Sequence, residues 1–265
     1  MNLKYQSLCY VKTILLPFLS AGIILFVLYL MVPQPVQAAS LVVINSNDSG
    51  SGSLRWAIDQ ANATPGDDII TFDAGTDGNP IYLGGAAGDD ANVSGDLDIL
   101  DNGNLTILGN GAAITIIDGS GNDRVFHICP GGGCSNTVIM DGVTIRDGST
   151  TSPGGGIWNY GTLNVLNTEI NGSSGSTGGG IYNESGEVTL DGSMIYQNTS
   201  SGNGGGIYAK GTFTVQNHTI VDGNAADLNG GGSLTPPAPW SWITASSETT
   251  RLKTAGESSI GRTVS

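Results

Sequence analysis

"GGGIWNYGTLNVLNTEING" from Gly154, "GGGIYNESGEVTLDGSMIYQN" from Gly178 and "GGGIYAKGTFTVQNHTIVDGN" from Gly204 are three versions of one unit. A further "GGG" begins at Gly230, so the triplets are spaced by 24, 26 and 26 residues. Aligned on the later glycines Gly161, Gly186 and Gly211, the units fall into columns. Leu163, Val188 and Phe213 form one column, and Val165, Leu190 and Val215 form the next. Ile170, Ile195 and Ile220 make a third, and Ile157, Ile181 and Ile207 a fourth. Within a unit, apolar and polar residues alternate ("TLNV", "EVTL", "TFTV"), the period of a strand with one buried face. No helical stripe interrupts it.

A repeat near 25 residues holding about three short strands fits one coil of a parallel β-helix, with like residues stacked coil on coil. The expected fold class is therefore all-β: a right-handed parallel β-helix, a solenoid, with a short N-terminal capping helix. Leucine-rich repeats would need an LxxLxL consensus, which is missing, and a propeller blade needs a longer period. Asn159 and Asn183 share a register and predict an inward amide ladder that Ala209 interrupts. Upstream, "LDILDNGNLTILGNGAAITIIDGSGNDRVFHI" and "NTVIMDGVTIRDGS" keep the strand-turn rhythm without the triple glycine, and read as earlier coils. Before them, Ser53 is placed to N-cap a helix whose Leu54, Ala57, Ile58 and Ala61 share a face, and Pro65 ends it. Such a helix would cover the open end of the stack. "DDIITFD" then reads as a strand.

Composition narrows the function classes. The chain has 265 residues, 42 of them glycine, and a formal charge of -14. Between the N-terminal segment and Gly232 the basic residues are Arg55, Arg124, Arg146 and Lys210, too few and too scattered to neutralise nucleic-acid phosphates. Lys4 and Lys12 precede an apolar run from Ile14 to Val32, and Val36-Gln37-Ala38 supplies a cleavage site, so residues 1–38 read as a secretory signal. Kept uncleaved, the segment would serve as an anchor. Residues 39–95 are then the cap and first strands, and 96–232 the coils. The expected location is secreted or at the cell surface, with the outer membrane included. Cys129 and Cys134 bracket "CPGGGC", a loop that a disulfide could close in an oxidising compartment.

The stretch "DSGSGSLRWAIDQANATPGDDIITFD" followed by "GGGI" coils resembles secreted bacterial right-handed parallel β-helix proteins. Gly52-Ser53-Leu54-Arg55-Trp56-Ala57 stands where those with a CSLREA-like segment begin, here without the cysteine. The "GGGI" units are similar to the repeats of polymorphic outer-membrane proteins. The likeness spans about Leu41 to Gly232, and its motifs are structural ones. It implies fold and export.

Chemistry is harder to find. Many parallel β-helices are polysaccharide lyases or glycoside hydrolases, and the latter need two carboxylates at a set separation. Asp118, Asp123, Asp141, Asp147, Asp191 and Asp222 sit mostly in "DG" or "DN" contexts, where Asp builds turns. Arg146 reads as a solvated cation, and His127 and His218 as surface residues. No catalytic residue, cofactor-binding residue or metal ligand is assigned. Stacked acidic turns could hold Ca²⁺ loosely, but the GGxGxDxUx ligand pattern is lacking. Trp158, Tyr182 and Tyr208 follow inward isoleucines and should point outward as an aromatic strip. Cross-strand packing is the plain reading of that strip; contact with an extracellular glycan or protein is the functional one. The expectation is a non-catalytic adhesion or binding scaffold, leaning away from an enzyme, with a polysaccharide-active enzyme as the alternative.

After Gly232 the pattern fails: "GGG" is followed by "SLTPPAPWSWITASS". Reading each codon one base earlier restores it. The Trp242–Ile243 junction is then forced to Asp, and the Glu248–Thr249 and Lys253–Thr254 junctions to Asn or Asp, where a coil wants them. A one-base frame change near Gly232 is expected, leaving residues 233–265 as a disordered tail in which Pro236, Pro237 and Pro239 stop the ladder, and the exported part in view as the first portion of a longer solenoid.

Overall fold

The computed structural model describes residues 38–88, 90–100 and 103–228, together with three short strands beyond them, Leu234–Thr235, Ile243–Ser246 and Arg251–Leu252. The apolar segment expected to be a signal lies outside the described residues. Among the described residues no helix is long and apolar enough to cross a membrane.

The chain winds as a right-handed parallel β-helix of about seven turns. In a representative coil, Ile157–Asn159 leads to Thr162–Leu166, then to Glu169–Asn171 and Ser174–Gly175, before Ile181–Asn183 opens the next coil. Like strands pair in parallel and build sheets of eight, seven, six and three strands. The eight-stranded sheet runs from Ser40–Val43 through Asp68–Phe72 to Thr212–Gln216 and Ile243–Ser246.

The predicted columns are the core. Ile157, Ile181 and Ile207 pair in line and are fully buried, as are Val188, Leu163, Val165, Leu190 and Val215. Each such side chain contributes roughly 1.5–3 kcal/mol by leaving water. Stacking like shapes at one strand spacing lets them interdigitate without voids.

The third column needs correction. Ile170 pairs with Ile195, but Ile195 pairs with Val221, and Ile220 faces Met194 instead. Val221 is fully buried while Ile220 is only half-buried. The cause is one extra residue in the preceding corner, where Asn217 and His218 both adopt positive φ (47° and 61°). A one-residue slip moves every following side chain to the other face of its strand.

Polar ladders hold the corners. Asn159 Nδ2 donates to Asn183 Oδ1 at 2.9 Å, both side chains are fully buried, and Ala209 ends the ladder as predicted. Two further ladders were not read from the sequence. Thr168 N donates to Ser193 Oγ and Ser193 N to Thr219 Oγ1. Ser173 N donates to Asn198 Oδ1, and Asn198 N to Asn224 Oδ1. At a bend the backbone leaves the strand ladder, so buried N–H groups need these side-chain acceptors.

The triple glycine has a steric cause. Gly154 has φ +70°, and a Cβ on Gly156 would stand 2.5 Å from the carbonyl oxygen of Gly180 in the next coil. The helix, α1, spans Leu54–Ala63, with Ser53 accepting from Trp56 N, and it buries Leu54, Ala57, Ile58 and Ala61 as expected.

Beyond Gly232 the expected stop of the ladder is corrected in part. Leu234–Thr235, Ile243–Ser246 and Arg251–Leu252 pair in parallel with the coil above. Pro236, Pro237 and Pro239 lie outside the described residues. The offsets to the partners Ile207, Phe213 and Ile220 are 27, 30 and 31 residues, against 24 to 26 between the triple-glycine coils and 29 to 37 between several earlier ones. The pairing thus continues while the period drifts.

Candidate functional site

The six-stranded sheet carries one outward column through the middle residues of its strands: Asp98, His127, Trp158, Tyr182 and Tyr208. An inward-facing residue on either side, such as Phe126 and Ile128 or Ile157 and Asn159, forces these residues out, because successive side chains alternate across a strand. The rings lie on one another. His127 stacks on Trp158 with centroids 5.0 Å apart, Tyr182 meets Trp158 edge-on, and Tyr182 stacks on Tyr208 at 5.6 Å. Tyr160 adds a further ring beside Trp158 at 5.4 Å.

The three residues expected as a strip, Trp158, Tyr182 and Tyr208, are therefore brought together in register. Their ring faces are largely spent on one another and on cations. The Arg124 guanidinium lies 4.8 Å from the Trp158 ring centre, and Lys210 Nζ lies 5.4 Å from that of Tyr182. Tyr182 is only 4% exposed, with Trp158 and Tyr208 half-buried. The Tyr182 hydroxyl donates to Glu184, which Lys210 also grips at 2.8 Å. Burial, then that hydrogen bond, pushes the Tyr182 phenol up to about 12.

Toward the first coils the same column becomes a buried polar cluster. Residues 84–88 and 90–95 fold over it, closed by Gly95 N to Gly84 O and by Gly88 N to Asp123 Oδ2. Beneath lie Asp96, Asp98, Asp123, Arg124 and His127, each no more than 6% exposed. His127 thus departs from its expected surface position, because "FHI" aligns with "IWN" in the column and the covering segment seals it. Arg124 Nε lies 3.2 Å from Asp96 Oδ2, and His127 Nδ1 lies 3.0 Å from Asp90 Oδ1 and 3.6 Å from Asp98 Oδ1. None of these contacts has hydrogen-bond geometry, and Trp158 Nε1 and His127 Nε2 are also buried without a hydrogen-bond partner among the described residues. Burial, reinforced by the Asp98 carboxylate, pushes Asp96 up to about 8. Burial, with Arg124 nearby, drives the His127 imidazole down to about 4.

The other candidate acids do not converge here, Asp123 excepted. Asp118 accepts from Ser120 N, Asp141 from Asn167 and Asp191 from Asn217, while Asp222 accepts from Gly223 N and Asp147 holds a left-handed corner. Arg146 departs from its solvated reading: its Nε is held 2.8 Å from Asp118 and 3.4 Å from Asp147. His218 is exposed at its corner. Cys129 and Cys134 are joined as a disulfide with Cα atoms 6.0 Å apart. Asn198, in a glycosylation-like triplet, is fully buried in its ladder and closed to modification. The polar cluster escaped sequence reading because its members, which run from Asp90 to His127, are brought together only by coil winding. Its one legible signal was the alignment of "LDI", "FHI" and "IWN".

Comparison of the chain with protein-family models, with curated proteins and with solved structures finds no match.

Proposed function

We propose that this is an exported β-helix of the cell surface or the extracellular space, serving as a non-catalytic scaffold that binds along its length. The observation that carries the reading is the division between its two polar features. Asp96, an acid group displaced far from its ordinary range, is 1% exposed beneath the segment that follows Leu83, where a polymer cannot reach it. The aromatic column, by contrast, runs along one outer sheet, with its rings packed on one another and against Arg124 and Lys210 and with Trp158 and Tyr208 half-buried. Sugars stack on open ring faces, so this arrangement favours an extracellular protein over a glycan as partner. Incubating the exported protein with neutral and acidic polysaccharides is expected to release neither reducing nor unsaturated ends. Release of either supports the alternative, a polysaccharide-active enzyme, and overturns this reading.

Export has its own structural support. Ala39 N donates to the buried Asp68 Oδ1 at 2.6 Å. Cleavage after Ala38 would turn that amide into an ammonium facing the carboxylate, a stronger contact. The mass of the exported chain should correspond to a start at Ala39, and a chain retaining residues 1–38 would contradict the cleavage.

A further inference from the structure

Asp90, Asp98 and His127 each offer one ligand atom, all within 4.8 Å of one another. His127 Nδ1 sits 3.0 Å from Asp90 Oδ1 and 3.6 Å from Asp98 Oδ1. Ligands around a tetrahedral ion at ~2.0–2.2 Å lie roughly 3.3 Å from each other, and the two spacings from His127 Nδ1 bracket that value. A second observation points the same way. His127 is 4% exposed and its Nδ1 is aimed between two carboxylates, yet it makes no hydrogen bond there. The surroundings are rich in acids: Asp96, Asp98 and Asp123 are buried beside the guanidinium of Arg124. The other buried cation, Arg55, is engaged with Asp48 and with the Gly95 and Asp96 carbonyls. Buried carboxylates are costly unless protonated or neutralised.

We propose that Asp90, Asp98 and His127 form a binding site for a divalent transition-metal cation of the Zn²⁺ class. One imidazole and two carboxylates suit such an ion, whereas Ca²⁺ and Mg²⁺ take oxygen ligands almost alone. The supports are built. Asn92 N holds Asp98 Oδ2 at 2.8 Å, and the Asn92 amide is itself pinned to Arg55 O and Asp59 Oδ1. This fixes the covering segment two residues from Asp90, whose side chain is 68% exposed and leaves one side of the site open to solvent. The ion would join the covering segment, through Asp90, to the first two strands of the six-stranded sheet in chain order, Leu97–Ile99 and Phe126–Ile128, and so act as a clasp on the scaffold.

The chain has two histidines, His127 and His218, which makes the test direct. Untagged exported protein, stripped with a chelator and labelled with ¹⁵N-histidine, is titrated with Zn²⁺. Saturable binding at one equivalent should shift Nδ1 of one ring, assigned to His127 by its loss in His127→Gln, and leave the His218 ring unmoved. Asp90→Asn changes only an exposed side chain and should weaken Zn²⁺ binding at least tenfold while the melting temperature of the metal-free protein stays put. Absence of saturable binding, a shift confined to His218, or equal affinity in Asp90→Asn would each overturn the site. Ca²⁺ binding in preference to Zn²⁺ would overturn its class.

Discussion

Asn198 shows how much one corner side chain carries. It accepts from Ser173 N, and its amide donates to the carbonyls of Ile170 and Tyr196. Asn198→Leu keeps the branching at Cγ but removes every polar atom and strands those backbone groups, each worth about 1–3 kcal/mol when buried unpaired. Unfolding in denaturant should therefore show a loss of about 2–4 kcal/mol, well above that of a surface change. Tyr182 gives a pH prediction. Its folded-state value, near 12, exceeds the ordinary phenol value of 10 from which it is raised, so above pH ~10 the unfolded chain sheds a proton that the folded chain keeps. Stability should fall as pH rises from about 10 to about 12. Lys210, raised by its contact with Glu184, acts in the same direction over the alkaline range. In Tyr182→Phe the decline between pH 10 and 12 should shrink, and an unchanged decline would place its origin elsewhere.

At the level of strands and corners, the inward columns were legible because a strand with one buried face must alternate, and a repeat must stack like on like. Leu163, Val188 and Phe213 obey both demands and pair in register. The corners were less legible. Their conformations are set by φ, which Gly172 and Gly223 advertise but Gln197 and His218 do not. This is why the column assigned to Ile220 belongs to Val221. A left-handed non-glycine residue costs roughly 1–2 kcal/mol, partly offset by the larger unfolded-state entropy of glycine. His218→Gly should accordingly raise stability by about 0.5–1 kcal/mol in thermal or denaturant unfolding. A loss would mean that the imidazole makes a contact that matters more than its backbone strain. The polar cluster lay beyond sequence reading for a different reason. His127 meets Asp90 through a covering segment whose path no periodicity dictates, whereas the aromatic column it joins is strictly periodic.

For the whole molecule, the organisation is one-dimensional: each coil touches the coil above and the coil below, and α1 closes the first end. The same logic explains why Gly232 matters. Between the triple-glycine coils the pairing offset is 24 to 26 residues, and beyond Gly232 it grows to 31, so the tail pairs without keeping that period. Resequencing the gene across Gly232 should reveal a one-base change that restores the repeat; an intact frame encoding the tail would refute it.

The register between coils underlies the columns, the corner ladders and the assembly of the cation site, and cross-linking measures it directly. Asn164 and Thr189 are half-buried, outward-facing partners in adjacent coils, held at strand spacing, within the reach of a disulfide. Asn164→Cys combined with Thr189→Cys should oxidise to an intramolecular bridge in the folded protein, while Asn164→Cys with Leu190→Cys, one residue out of register and facing inward, should not. Bridging in the second pair and not in the first would contradict the stacked β-helix described here.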